Sequence, residues 1–100
     1  MNHMRLSERD IEIIKKATKK FFGENASVYL FGSRTDDSKK GGDIDLYIET
    51  KVFQNIIDRK IKMLAELHKE LGEQKIDIII NNFSSKKFIY HVAKSEGIRL

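Results

Sequence analysis

Residues 28–34 read Val28-Tyr29-Leu30-Phe31-Gly32-Ser33-Arg34, and after eight further residues the chain continues Asp43-Ile44-Asp45-Leu46-Tyr47-Ile48. Ser27 to Phe31 is rich in β-branched and aromatic residues, the composition of a strand, and it runs directly into Gly32-Ser33-Arg34. Thr35 to Gly42 is polar, charged and closed by two glycines, which predicts a loop with room for one helical turn. Asp43 to Ile48 alternates with period two, which predicts a second strand with one apolar face.

Helical patterns flank this pair of strands. Ser7 reads as an N-cap with Asp10 three residues on, and Leu6 and Ile11 can form the flanking apolar staple. Ile11, Ile14, Ala17 and Phe21 then recur at helical spacing, widened by Ile13 and Phe22, and Gly23 closes the helix. Lys15, Lys16, Lys19 and Lys20 fall mainly on the other side. Gln54 to Leu71 is the longest helical pattern, with Ile57, Ile61, Leu64, Leu67 and Leu71 as its expected buried stripe and Gly72 as its stop. Lys75 to Ile80 is apolar at nearly every position, which predicts a third strand in the middle of a sheet. Ser84 or Ser85 can cap a last helix running to about Ser95, with Phe88, Val92 and Ile89 facing inward, and Gly97 releases the tail. The order is α-β-loop-β-α-β-α, an α+β arrangement with a sheet covered on at least one face.

A chain of 100 residues is expected to make one compact domain, residues 1–100, too short for separate cofactor and substrate domains. With no cysteine there is no disulfide, thiolate metal site or thiol nucleophile, which fits a reducing cytoplasm. No apolar run approaches the ~20 residues of a membrane span, and the N-terminus lacks the apolar region of a signal peptide. The net charge of +4 comes mostly from lysines and reads as solvated helix faces rather than a nucleic-acid surface.

The chemistry concentrates in three aspartates. Residues i and i+2 of a strand share a face, so Asp43 and Asp45 lie side by side. Like charges at that distance repel, and a divalent cation such as Mg²⁺ removes the repulsion. The same pattern also arises on a solvated strand face. Asp77 interrupts the apolar third strand, where a carboxylate is costly unless paired or metal-bound. A strand-end position or a salt bridge to a lysine accounts for it equally. If the third strand lies beside the second, all three carboxylates converge, and such a set supports metal-assisted phosphoryl or nucleotidyl transfer, with Asp77 also a candidate base. Gly32 and Ser33 offer backbone N–H groups and a hydroxyl to an anion, and Arg34 adds a permanent charge suited to phosphate. An ordinary strand-to-turn glycine beside an exposed arginine is the plainer account. His3, His68 and His91 show no ligand spacing. Tyr29 and Tyr47 read as packing residues, and Tyr90 as a possible contact.

Taken together, Leu30-Phe31-Gly32-Ser33-Arg34, the eight-residue spacer and Asp43-Ile44-Asp45-Leu46 resemble the signature of the polymerase-β-type nucleotidyltransferase superfamily, most closely its minimal nucleotidyltransferases. The resemblance implies a polymerase-β-like fold with a small mixed sheet. It assigns nucleotide phosphates to Gly32 and Ser33, beside Arg34, and Mg²⁺ to Asp43 and Asp45, with Asp77 completing the metal site. It further implies ATP, or another nucleoside triphosphate, as donor. Many minimal members are antitoxins that transfer AMP to a tyrosine of a partner HEPN-domain toxin. Gly42 departs from the pattern, standing where many members have serine. Alternatives are an antitoxin acting by occupancy alone, or transfer to a small molecule or RNA. The shortness of the chain points to a catalytic half that needs another protein, or a second copy of itself, to complete its substrate site.

Overall fold

The computed structural model describes residues 6–32, 43–72, 74–84 and 86–100. The elements in order are α1 (Glu8–Phe22), β1 (Ser27–Phe31), β2 (Ile44–Glu49), α2 (Ile56–Leu71), β3 (Ile76–Asn81), α3 (Phe88–Glu96) and β4 (Ile98–Arg99). The four strands form one mixed sheet in the order β3-β2-β1-β4. β1 pairs antiparallel with β2 and with β4, whereas β2 and β3 are parallel, with α2 as the crossover between them.

The period-two pattern decides which residues enter the core. Val28 and Leu30 of β1, Ile44, Leu46 and Ile48 of β2, and Ile76 and Ile78 of β3 all point to one face of the sheet. There they join Ile14, Ala17 and Phe22 of α1 and Met63 and Leu67 of α2 in a continuous buried cluster. Ser7 caps α1 as its sequence predicts, its hydroxyl accepting from the Asp10 N–H at 3.1 Å. Thr18 is also buried there; its hydroxyl donates to the Ile14 carbonyl at 2.8 Å, so no polar group is stranded. The Lys20–Glu66 ion pair at 2.6 Å and an Arg59 guanidinium bond to the Phe21 carbonyl tie α1 to α2.

The second face carries α3. Tyr47 lies beneath it, 1% exposed, between the rings of Tyr29 (centroids 5.7 Å apart) and Tyr90 (6.1 Å). Tyr29 and Tyr47 are therefore packing residues as expected, and Tyr90 spends its ring on Tyr47. The Tyr47 hydroxyl donates to Glu49 and accepts from the Asn81 amide, each at 2.9 Å, and Lys94 of α3 pairs with the same Glu49 at 3.2 Å.

Five expectations are corrected. β3 is an edge strand, not a central one. Ile76 and Ile78 fill the core face, and only half-buried Ile79 on the other face made the run look doubly buried. On α2 the buried residues are Met63 and Leu67, with Ile56, Leu64 and Leu71 partly covered, while Ile57 and Ile61 are 75% and 59% exposed. The helix has two apolar stripes, and packing on α1 selects the one that contains Met63. On α3, Phe88 and Ile89 are exposed rather than inward, and Ala93 is the buried contact. That helix starts after Lys87 with no side-chain cap, so Ser84 does not cap it, and Ser85 lies outside the described residues. Finally, the tail after Gly97 is not released. Ile98 and Arg99 pair with Leu30 and Tyr29 as a fourth strand. The predicted loop 35–42 lies outside the described residues.

Gly97 is where α3 turns back onto β1. A Cβ there would collide with the Ala93 carbonyl oxygen and lie 3.2 Å from both the Leu30 carbonyl oxygen and the Tyr29 Cβ. Two of these three atoms are backbone and cannot swing aside. Gly97→Ala is therefore expected to lower stability by about 1–3 kcal/mol, the usual cost of overpacking, measurable as a reduced urea midpoint.

Candidate functional site

The alternation that sends Ile44 and Leu46 into the core sends Asp45 to the second face, and in β3 it does the same for Asp77. The parallel register pairs Ile44 with Ile76, Asp45 with Asp77, and Leu46 with Ile78. The two carboxylates thus stand on adjacent strands at the same height. Asp43 immediately precedes β2, two residues from Asp45, and is half-buried. Phe31, the last residue of β1, pairs with Asp45 from the other side.

Gly32 follows Phe31 directly and adopts φ +81°. That backbone conformation favours glycine, and there is a second reason for glycine here. A Cβ on residue 32 would run into the Asp45 carboxylate. The strand-to-loop turn is thereby packed against the carboxylate by the absence of a side chain. Ser33 and Arg34, expected to share the phosphate-binding role, lie outside the described residues.

Asp45 is the electrostatically strained member. Its pKa is raised above the ordinary 3.8, first by burial, then by the neighbouring charges of Asp77 and Asp43, with Lys75 pulling it partly back. Asp77 itself is exposed on the edge strand, so the burial cost argued for it from the sequence does not apply. What singles it out is its register opposite Asp45. Carboxylates are the hard-oxygen donors that suit Mg²⁺, and net negative charge of this kind fits a divalent cation. Among the described residues, however, no group of three or more histidine, cysteine, aspartate or glutamate side chains closes around a common point.

The sequence reading passed over Lys75. The clue was its spacing: Lys75 and Asp77 are i and i+2, so a strand places both on the face that carries Asp45. Tyr47, two residues beyond Asp45 on the same face, has a hydroxyl pKa pushed up to about 12, chiefly by burial, with Glu49 raising and Asn81 lowering it. It stays protonated and structural.

The Polymerase beta, Nucleotidyltransferase family matches the chain over residues 7–100. The chain belongs to that family. A comparison with curated proteins finds no match. Nucleotidyltransferases of this superfamily generally use a divalent metal, and Asp45 and Asp77 are two carboxylates at one height on adjacent strands. A cleft of about 800 Å³ in this nucleotidyltransferase lies elsewhere. It opens at the opposite end of the strands, among Phe22, Thr50, Val52, Phe53, Arg59 and Phe83. Asp43, Asp45 and Asp77 are not among the residues that line it. Among the described residues no helix is long and apolar enough to cross a membrane.

The raised pKa of Asp45 sets the sign of a stability effect. Between its ordinary value and its raised one, the folded protein binds more protons than the unfolded chain. Stability contributed by this group is therefore present at low pH and falls as pH rises through that window. Asp45→Asn is expected to raise the melting temperature at pH 7 in chelator and to flatten this part of the stability–pH curve. A lower melting temperature in the variant would contradict the strain. Gly32→Ala should act oppositely, lowering stability at pH 7 by about 1 kcal/mol or more through the positive φ alone.

Proposed function

We propose that this nucleotidyltransferase moves AMP from ATP onto a hydroxyl of a partner protein, as the antitoxin of a HEPN toxin–antitoxin pair working in the cytoplasm. The observation that carries the catalytic part is the register of Asp45 against Asp77 at the end of the sheet where β1 turns through Gly32. Asp43 and Asp45, with Asp77, would hold Mg²⁺. When bound, the ion supplies charge stabilisation to the phosphates and the leaving group.

The protein's own residues then have separate tasks. Gly32 lets the backbone approach the triphosphate, and Ser33 and Arg34 bind its oxygens. The acceptor oxygen bonds to the α-phosphorus as the bond from that phosphorus to the α–β bridging oxygen breaks, and pyrophosphate leaves. The acceptor proton passes to the Asp77 carboxylate, whose exposure leaves it open to an incoming hydroxyl. Dependence on a second chain is supported by the apolar side chains of Phe53 and Ile57, each 75% exposed, and Ile61 beside them. That surface suits a partner protein or a second copy of this chain.

A second reading, an antitoxin that acts by occupancy without catalysis, draws support from the exposed apolar surface of Phe53, Ile57 and Ile61, which does not include Asp43, Asp45 or Asp77. One experiment separates the two. With labelled ATP, Mg²⁺ and the co-purifying partner, the catalytic reading expects a mass increase of one AMP on the partner. Asp43→Asn/Asp45→Asn should reduce this transfer by more than about 100-fold and abolish neutralisation of the toxin. Undiminished neutralisation by that double variant would favour occupancy, and undiminished transfer would refute catalysis by these aspartates.

A further inference from the structure

The acidic end of the sheet carries a cation that the reaction outlined above does not use. The Ile44 N–H donates to the Lys75 carbonyl at 2.8 Å, and Ile44 pairs with Ile76. Lys75 is thereby fixed one step ahead of Ile76, beside Asp43, while Asp77 stands beside Asp45. Alternation puts residues 43 and 45 on the same face as residues 75 and 77. Neighbouring strands lie about 4.8 Å apart, so residues at one height on them are within reach of a lysine side chain. Among the described residues, three carboxylates and one ammonium leave a formal charge of −2 on this patch, equal and opposite to a single divalent ion. Lys75 is exposed and, among the described residues, closes no ion pair of its own. Its charge acts on the Asp45 carboxyl through space, pulling that group's pKa down, without an ion-pair contact.

We propose that Lys75 is the built-in counter-ion of this site: its ammonium offsets the charge of Asp43, Asp45 and Asp77 in the metal-free protein and yields to the divalent cation on binding. This rests on the reading that these aspartates bind metal. Lys75 is a positioning residue in this role, touching neither the α-phosphorus nor the acceptor. It keeps the metal-free sheet end from repelling itself, and it weakens metal binding because an ammonium and a divalent ion compete for the same carboxylates. The electrostatic signature is two-sided. Removing the charge should destabilise the empty protein and strengthen its hold on metal, whereas an ordinary surface lysine would do neither.

The test uses Mn²⁺ alone as the probe, with no nucleotide, followed by electron paramagnetic resonance. Lys75→Met is expected to tighten Mn²⁺ binding about fivefold at low salt, an effect that shrinks at 0.5 M salt by the usual screening, while Lys75→Arg matches the wild type. In chelator, Lys75→Met should melt below the wild type, and saturating Mn²⁺ should narrow the difference. If Mn²⁺ affinity is unchanged or weakened in Lys75→Met while wild-type binding still depends on Asp45, the counter-ion role is overturned and the metal reading stands. If Asp45→Asn binds Mn²⁺ as well as the wild type does, the metal reading fails and the counter-ion role fails with it.

Discussion

The site depends on the parallel pairing of β2 with β3 in a single register. Side chains alternate along a strand, so a slip of one residue would turn Asp77 into the core and an isoleucine toward Asp45. The slip is opposed by Ile76 and Ile78, which are buried only when Asp77 is not. Apolar burial thus positions the carboxylates: the core holds the odd-numbered aspartates at one height by claiming the even-numbered residues beside them. The crossover through α2 makes the pairing parallel, and Met63 and Leu67 anchor that helix over the same core face.

The second face is divided along its length. Toward the Glu49 end it is closed by Tyr47, Asn81 and the α3 residues Tyr90 and Lys94, a network in which the Tyr47 hydroxyl and the Glu49 carboxylate both find partners. Toward the Gly32 end the same face carries Asp45 and Asp77, with like charges adjacent. Tyr47 and Asp45 are only two residues apart on one strand, yet one is satisfied and the other strained. Local destabilisation of this kind is common where a site must later bind something of opposite charge. β4 adds a further strand beside β1.

Much of this was legible in the residues. β1 was readable to the residue, since its composition and its glycine stop coincide. β2 and β3 were each one residue out of place. Asp43, Asp45 and Asp77 could be nominated because aspartates in strand patterns are costly. The reason given for Asp77 did not survive, because β3 is an edge strand and the side chain is exposed. Ile57 and Ile61 were misassigned because helical periodicity alone offers two equivalent stripes on α2. Phe88 was misassigned for a related reason, since in a nine-residue helix one alanine contact suffices to set the buried side. Ile98 and Arg99 looked like a tail because two residues carry no periodicity.

The sequence by itself determined the order of the first six elements, the strand faces, the cap at Ser7, the turn at Gly32 and the family, because these follow from local sterics and from the spacing of a few residues. Tertiary structure decided the neighbours. It put β3 at the edge, brought Asp77 level with Asp45, set Lys75 beside Asp43 and left Phe53, Ile57 and Ile61 uncovered. Those facts depend on which strand pairs with which and on which helix face meets the core. Such choices are made by the summed burial of the whole chain, and no short stretch of it contains them.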